Sequence, residues 1–150
     1  MNKVFDYETD LYSWAQHNAQ LLKEGKFSEL DVKHLIEELE GMGKSDRQEI
    51  ESRLAVLIGH LLKWEYQPNQ RSSSWQASIN EQRMRIARKI RKNPSLKPYL
   101  PEAIADAYLD AVELASDDTG LSKSTFPQIC PYSPEQLLEK SLLPGTLEND

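Results

Sequence analysis

The chain has 150 residues, of which 39% are apolar and 28% charged, with a net charge of −6. Such a chain holds one ordinary globular core; it is too apolar for a disordered polyelectrolyte, and no apolar run is long enough to cross a bilayer. The acidic balance argues against the phosphate backbone of nucleic acid as a partner and leaves proteins or small anions as the classes to consider.

Residues Met1 to Asp6 lack an apolar stretch with a small-residue cleavage site, so no secretory signal is expected and a cytoplasmic setting is. From about residue 7 to residue 24, Tyr7, Leu11, Trp14, Ala15, Leu21 and Leu22 recur at helical spacing, and Gly25 provides a left-handed stop. Asp31 is a good N-cap for a second, short helix that carries Leu35, Ile36, Leu39 and Met42 toward the core before Gly43 ends it. Ser45 and Gln48 then match a capping box and open a third helix with the stripe Ile50, Leu54, Leu57, Ile58, Leu61 and Trp64.

Gln67-Pro68-Asn69-Gln70 breaks that helix, because proline removes a backbone donor and pushes the residue before it out of helical geometry. A fourth helix follows, capped by Ser73 or Ser74, with Trp75, Ile79, Ile86 and Ile90 on one face, and Asn93-Pro94-Ser95 stops it. A short helical turn over 96–100 leads to Pro101, suited to the first position of a fifth helix. That helix turns Ile104, Ala107, Tyr108, Ala111 and Ala115 inward and ends at Gly120. The rest is irregular and rich in proline (Pro127, Pro131, Pro134, Pro144), except that Ser133-Pro134-Glu135-Gln136 reads as a capping box for a sixth helix to about Lys140. With no alternating strand and no internal repeat, the expectation is an all-α bundle of four main helices with accessory ones. It forms a single helical domain over residues 1–145, followed by a polar tail, 146–150.

Cysteine use is minimal. Cys130 is the only one, which excludes an intrachain disulfide, and with no basic neighbour in sequence it reads as an inert packing residue.

The most chemically dense segment is the junction from His60 to Trp75, HLLKWEYQPNQRSSSW. A serine cap there directs free backbone N–H groups and the positive end of a helix dipole at the loop, with Arg71 just before it and Lys63 nearby, so an anion or an acidic partner side chain can be held. Gln82 falls in the middle of the Ile79–Ile86 stripe, where its amide needs partners, and Arg83 flanks it. Lys63, Arg71, Ser74, Trp75, Gln82 and Arg83 are therefore the candidate ligand- or partner-binding residues. The competing account is that the tryptophans pack, the serine caps and the cations pair inside the protein.

Two further constellations carry chemistry. Glu38 lies in the acidic run Glu37-Glu38-Leu39-Glu40, and if the second and third helices pack antiparallel it approaches His60, a carboxylate and an imidazole that suit a metal-dependent hydrolase. The ligand count is incomplete, and a histidine simply hydrogen-bonded to a glutamate fits equally; neither a metal nor a cofactor is expected. Seven basic residues and no acidic one occupy positions 82–101, and Arg85, Arg88, Arg91 and Lys92 lie away from the isoleucine stripe, as a nucleic-acid reader on the fourth helix requires. No RNA-binding aromatic motif or helix-turn-helix glycine accompanies them, and pairing with the acidic helix that follows is the favoured explanation.

The run LIEELEGMG from Leu35 to Gly43, His60-Leu61-Leu62-Lys63-Trp64, Gln67-Pro68, Arg71, Ser74-Trp75 and Gln82-Arg83 resembles the bacterial family catalogued as domain of unknown function number twenty-nine. Asn93-Pro94-Ser95-Leu96, Gly120-Leu121, Phe126-Pro127 and Cys130-Pro131 fit the same pattern, as do Tyr7, Asp10, Tyr12 and Trp14. The resemblance implies an all-helical fold and no particular activity. The expectation for function is thus a non-enzymatic binding or regulatory module acting through a protein partner or an anionic ligand. The His60–Glu38 hydrolase and the basic helix on nucleic acid stand as alternatives.

Overall fold

The computed structural model describes residues 5–145. α1 is Leu11–Lys23, α2 Val32–Tyr66, α3 Ser73–Lys92, α4 Leu100–Thr119 and α5 Pro134–Leu138, and no strand occurs among the described residues. The protein is all-α with four substantial helices, as the periodicity predicts. The tail expected at 146–150 lies outside the described residues. The chain falls into two compact units, Met1–Ser45 and Asp46–Asp150, whose boundary lies within α2.

The expected second and third helices are one. Gly41 and Gly43 sit inside the 35-residue α2, and neither has a positive φ. An interior glycine costs about 1 kcal/mol relative to alanine, which is less than ending a helix and nucleating another two residues later. The flanking Glu37-Glu38-Leu39-Glu40 and Arg47-Gln48 are strong helix formers, so propagation wins. Ser45 and Gln48 therefore lie in the helix interior instead of forming a capping box.

In the first unit, α1 begins later than expected because Asp10 caps it: its Oδ1 accepts from the Ser13 N–H at 3.0 Å. Gly25, with φ +71°, ends the turn after it. Trp14, Asn18 and Leu21 are the buried residues of α1, whereas Leu11 and Leu22, expected inside, are about half exposed. Ile36, Leu39 and Met42 are also on the surface rather than in a core.

The second unit holds the apolar core. Ile50, Leu54, Leu57, Ile58, Leu61 and Trp64 of α2 are buried as expected, together with Ile79 and Ile86 of α3 and the Ile104–Ala107–Tyr108–Ala111–Ala115 stripe of α4. Phe126, Tyr132 and Leu137 close it. The helix ends follow local chemistry. Ser72, one residue before the expected pair, caps α3 by accepting from the Trp75 N–H, and α4 stops at Gly120 with φ +77°. The capping box at Ser133 and Gln136 forms in full, although α5 ends at Leu138. The turn before α4 is a 3-10 helix, Pro94–Tyr99.

Gly59 was not singled out by the sequence pattern, yet it sets the crossing of α2 with α4. A Cβ on it would lie 2.7 Å from Leu114 Cδ2 and 3.2 Å from the Ala111 carbonyl oxygen. Glycine on one helix against alanines on the other brings the two backbones together.

Candidate functional site

The cations of the junction are turned inward and used. Lys63 is only 4% exposed; its Nζ donates to Asp118 at 2.8 Å and lies 4.7 Å above the Trp75 ring. Arg71 donates from Nε to the Trp64 carbonyl at 2.8 Å and from Nη2 to the Pro144 carbonyl at 3.3 Å, with its guanidinium over the Trp64 ring. These contacts tie the end of α2 to the C-terminal segment. Ser74 is exposed and is not the cap, and Trp75 is half-buried against the core.

Gln82 finds the partner its position demands, accepting from Arg53 Nη1 at 3.3 Å. Arg83 is 2% exposed and donates to the Leu137 carbonyl at 2.7 Å and the Gln136 carbonyl at 3.2 Å, at the end of α5. Burial holds its pKa below the usual guanidinium value. Lys63 and Trp75 are brought together, as are Arg71 and Trp64, but the six candidates do not converge on a shared anion position. The cations among them make separate contacts within the chain.

The expected approach of Glu38 to His60 required two antiparallel helices, and both residues lie on the single helix α2. Glu38 accepts from the Tyr7 hydroxyl at 2.6 Å, and His60 Nδ1 donates to the Val56 carbonyl at 2.9 Å. Among the described residues no three His, Cys, Asp or Glu side chains are grouped as a metal would need. Burial lowers the His60 pKa from its ordinary 6.5. The unfolded chain therefore takes up this proton first as pH falls, so the His60 contribution to stability is present above 6.5 and is lost on acidification through the lower folded value. Urea unfolding followed between pH 7.5 and about 5 should show this loss, and His60→Gln should flatten it; an equal slope in the variant would assign it elsewhere.

The basic fourth helix, now α3, is partly neutralised from a different side than expected. Arg85 pairs with Glu81 on its own helix, and Lys89 pairs with Asp46 and Glu49 of α2, not with the acidic α4. Arg88, Arg91 and Lys92 are exposed. Cys130 is half-buried, its thiol donates to the Tyr132 carbonyl, and burial pushes its pKa up, consistent with packing.

What the sequence reading missed lies in the first unit, a helical hairpin of α1 and the start of α2. Asp31 Oδ2 accepts from Trp14 Nε1 at 2.8 Å and from His34 Nδ1 at 2.7 Å, and the Asp31 backbone N–H donates to Asn18 Oδ1. The His34 contact holds the Asp31 carboxyl below its usual pKa, so it only accepts and Nδ1 carries the proton. The Tyr7 ring stacks on His34 at 4.0 Å, and its hydroxyl is pushed up to about 12, chiefly by the bond to Glu38. The pairings Tyr7–Glu38, Trp14–His34 and Trp14–Asp31 show that the two helices run antiparallel. A polar and aromatic clasp thus replaces the apolar core that the hydrophobic pattern predicted.

The apolar residues so displaced share one face. Four exposed apolar residues directly follow an inward-facing one: Ala15 after Trp14, Leu22 after Leu21, Val32 after Asp31, Leu39 after Glu38. One step turns the side chain by about 100° in the same sense on both helices, and antiparallel neighbours turned in the same sense present those side chains on the same side. Leu11, Leu22, Val32, Ile36 and Leu39 line that side, with Met42 on its edge nearer α1; Leu39 is 67% and Met42 65% exposed. Nine of the twelve exposed large hydrophobic residues fall between Phe5 and Met42, which concentrates apolar surface in the smaller unit.

Residues 7–143 match the family model described as "Domain of unknown function DUF29". No curated protein and no solved structure matches the chain.

Proposed function

The chain belongs to the DUF29 family, and within it we propose a non-enzymatic protein-binding module whose binding surface is the apolar face of the N-terminal helical hairpin. The observation that carries this reading is that face itself: large side chains at helical spacing, left exposed while the clasp beneath them is fully hydrogen-bonded. Isolated exposed leucines need no explanation, but a contiguous group on one side of two helices marks a partner surface.

The magnitudes favour a protein over a small anion. Covering the exposed halves of such side chains is worth on the order of 1 kcal/mol each, so six or more approach the roughly 4–15 kcal/mol that association costs. The junction offers no comparable driving force, because Lys63, Arg71 and Arg83 already donate to groups within the chain. The helical face also suits a partner helix laid along it.

The test is capture in the cell of origin, by cross-linking to the tagged full-length chain and to an Ile36→Glu/Leu39→Glu variant. A stoichiometric protein, including a second copy of the chain, is expected with the wild type and absent with the variant. Equal recovery from both, or none from either, would sink the reading.

A further inference from the structure

We infer that the occupant of this face is a second copy of the same chain, docked so that the two α2 helices run antiparallel about a two-fold axis; this rests on the binding-module reading. Three features of the hairpin point to it.

The first is size. A unit of 45 residues buries little surface of its own, and domains near this size ordinarily rely on a disulfide, a metal or association. Its only buried residues in α1 are Trp14, Asn18 and Leu21, and α2 adds none before Ile50. Residues 1–45 contain no cysteine, and the described ones contain no three-residue metal cluster. Association supplies the missing burial, and two hairpins packed face to face make a four-helix arrangement.

The second is the register of the stripe. Val32, Ile36 and Leu39 follow the alternating four- and three-residue spacing of a coiled-coil seam, with Leu35 and Met42 on the edge nearer α1 and Lys33 and Glu40 on the outer edge. An antiparallel pairing that sets Ile36 against the partner's Leu39 also sets Leu35 against the partner's Met42. Apolar edge meets apolar edge.

The third is charge. In that same register Lys33 lies beside the partner's Glu40 and Glu40 beside the partner's Lys33, so both outer edges are complementary at once. A two-fold interface must be self-complementary in this way, and a surface that is apolar at its centre with mixed signs at its rim meets the requirement without a partner of opposite net charge.

Sedimentation velocity of the purified full-length protein, from about 1 to about 100 μM, is expected to show a monomer–dimer equilibrium. Leu39→Glu should weaken it at least about 100-fold while leaving the Trp14 fluorescence unchanged, because Leu39 is already exposed in the monomer. Lys33→Glu and Glu40→Lys should each weaken the dimer, and the double exchange should restore it. Single losses without restoration would overturn the antiparallel pairing. A wild-type chain that stays monomeric at about 100 μM would overturn the inference outright. If such a monomer still captures a different protein through Leu39, the binding-module reading survives; if it captures nothing, both fall.

Discussion

Arg83→Ala is expected to destabilise the second unit by about 3–5 kcal/mol, among the largest effects of any single substitution. Two charge-assisted hydrogen bonds from the guanidinium end on the Leu137 and Gln136 carbonyls at the C-terminal end of a five-residue helix, where the Gln136 oxygen also accepts from the Glu139 N–H at 3.3 Å. Alanine removes the donors, strands the Leu137 carbonyl oxygen, and leaves a void beside Ile79 and Ile86. The loss should be local first: amide exchange over α5 and the residues up to 145 should accelerate before α2 and α4 respond. Arg83→Met separates the contributions, since it keeps most of the volume and none of the donors. A melting temperature lowered by roughly 10 °C in the alanine variant, with an intermediate value for methionine, is the expected result. An alanine variant as stable as the wild type would mean that the clasp contributes nothing.

Gly59→Val should cost about 2–3 kcal/mol by a different route. The valine Cβ alone would sit 2.7 Å from a Leu114 methyl and 3.2 Å from the Ala111 backbone oxygen, and its two γ carbons would need further room where α2 and α4 meet. The Leu114 side chain can move aside, but the Ala111 carbonyl belongs to α4 and moves only with the helix. Helix propensity works the other way, because valine is a better helix former than glycine by a few tenths of a kcal/mol. The steric cost is the greater of the two. Compensation offers a sharper check: Leu114→Ala alone should be mildly destabilising, and combined with Gly59→Val it should recover part of the loss. Urea melts read by Trp64 and Trp75, both in the second unit, report on it directly. Strict additivity of the two substitutions would argue that they do not meet.

The candidate cations in the sequence are engaged with groups of the same chain, for reasons that spacing cannot reveal. The junction concentrates Lys63, Arg71 and Arg83 within a short stretch, which is also how a ligand site looks. Their partners, Asp118, the Pro144 carbonyl and the α5 carbonyls, come from segments 55, 73 and 54 residues away. The hairpin shows the converse. Tyr7, Trp14 and Asp31 are visible as a helix stripe, an N-cap and a family motif, yet nothing local says that Asp31 accepts from Trp14 and His34 at once. A signal lies in the sequence: aromatic and polar residues stand at the inward positions Trp14, Asn18, Asp31, His34 and Glu38, while aliphatic ones follow by a single step.

The sequence by itself determined the all-α class, the breaks at Pro68 and Pro94, the end of α4 at Gly120, the capping box at Ser133 and the buried stripe of the second unit. Each of these rests on interactions within a few residues, where steric and hydrogen-bonding preferences act without help. Tertiary structure decided the rest. It fitted Gly59 against α4, whereas the passage of α2 through Gly41 and Gly43 is local, since an unbroken ladder of backbone bonds outweighs their cost. It also sealed the junction cations inside the second unit. In the first unit, hydrogen bonds of fixed direction at Asp31 drew the polar side chains inward, and the aliphatic neighbours were turned outward as a face. Hydrophobic patterning says that such residues must be covered; it does not say whether the cover comes from the same chain or from another.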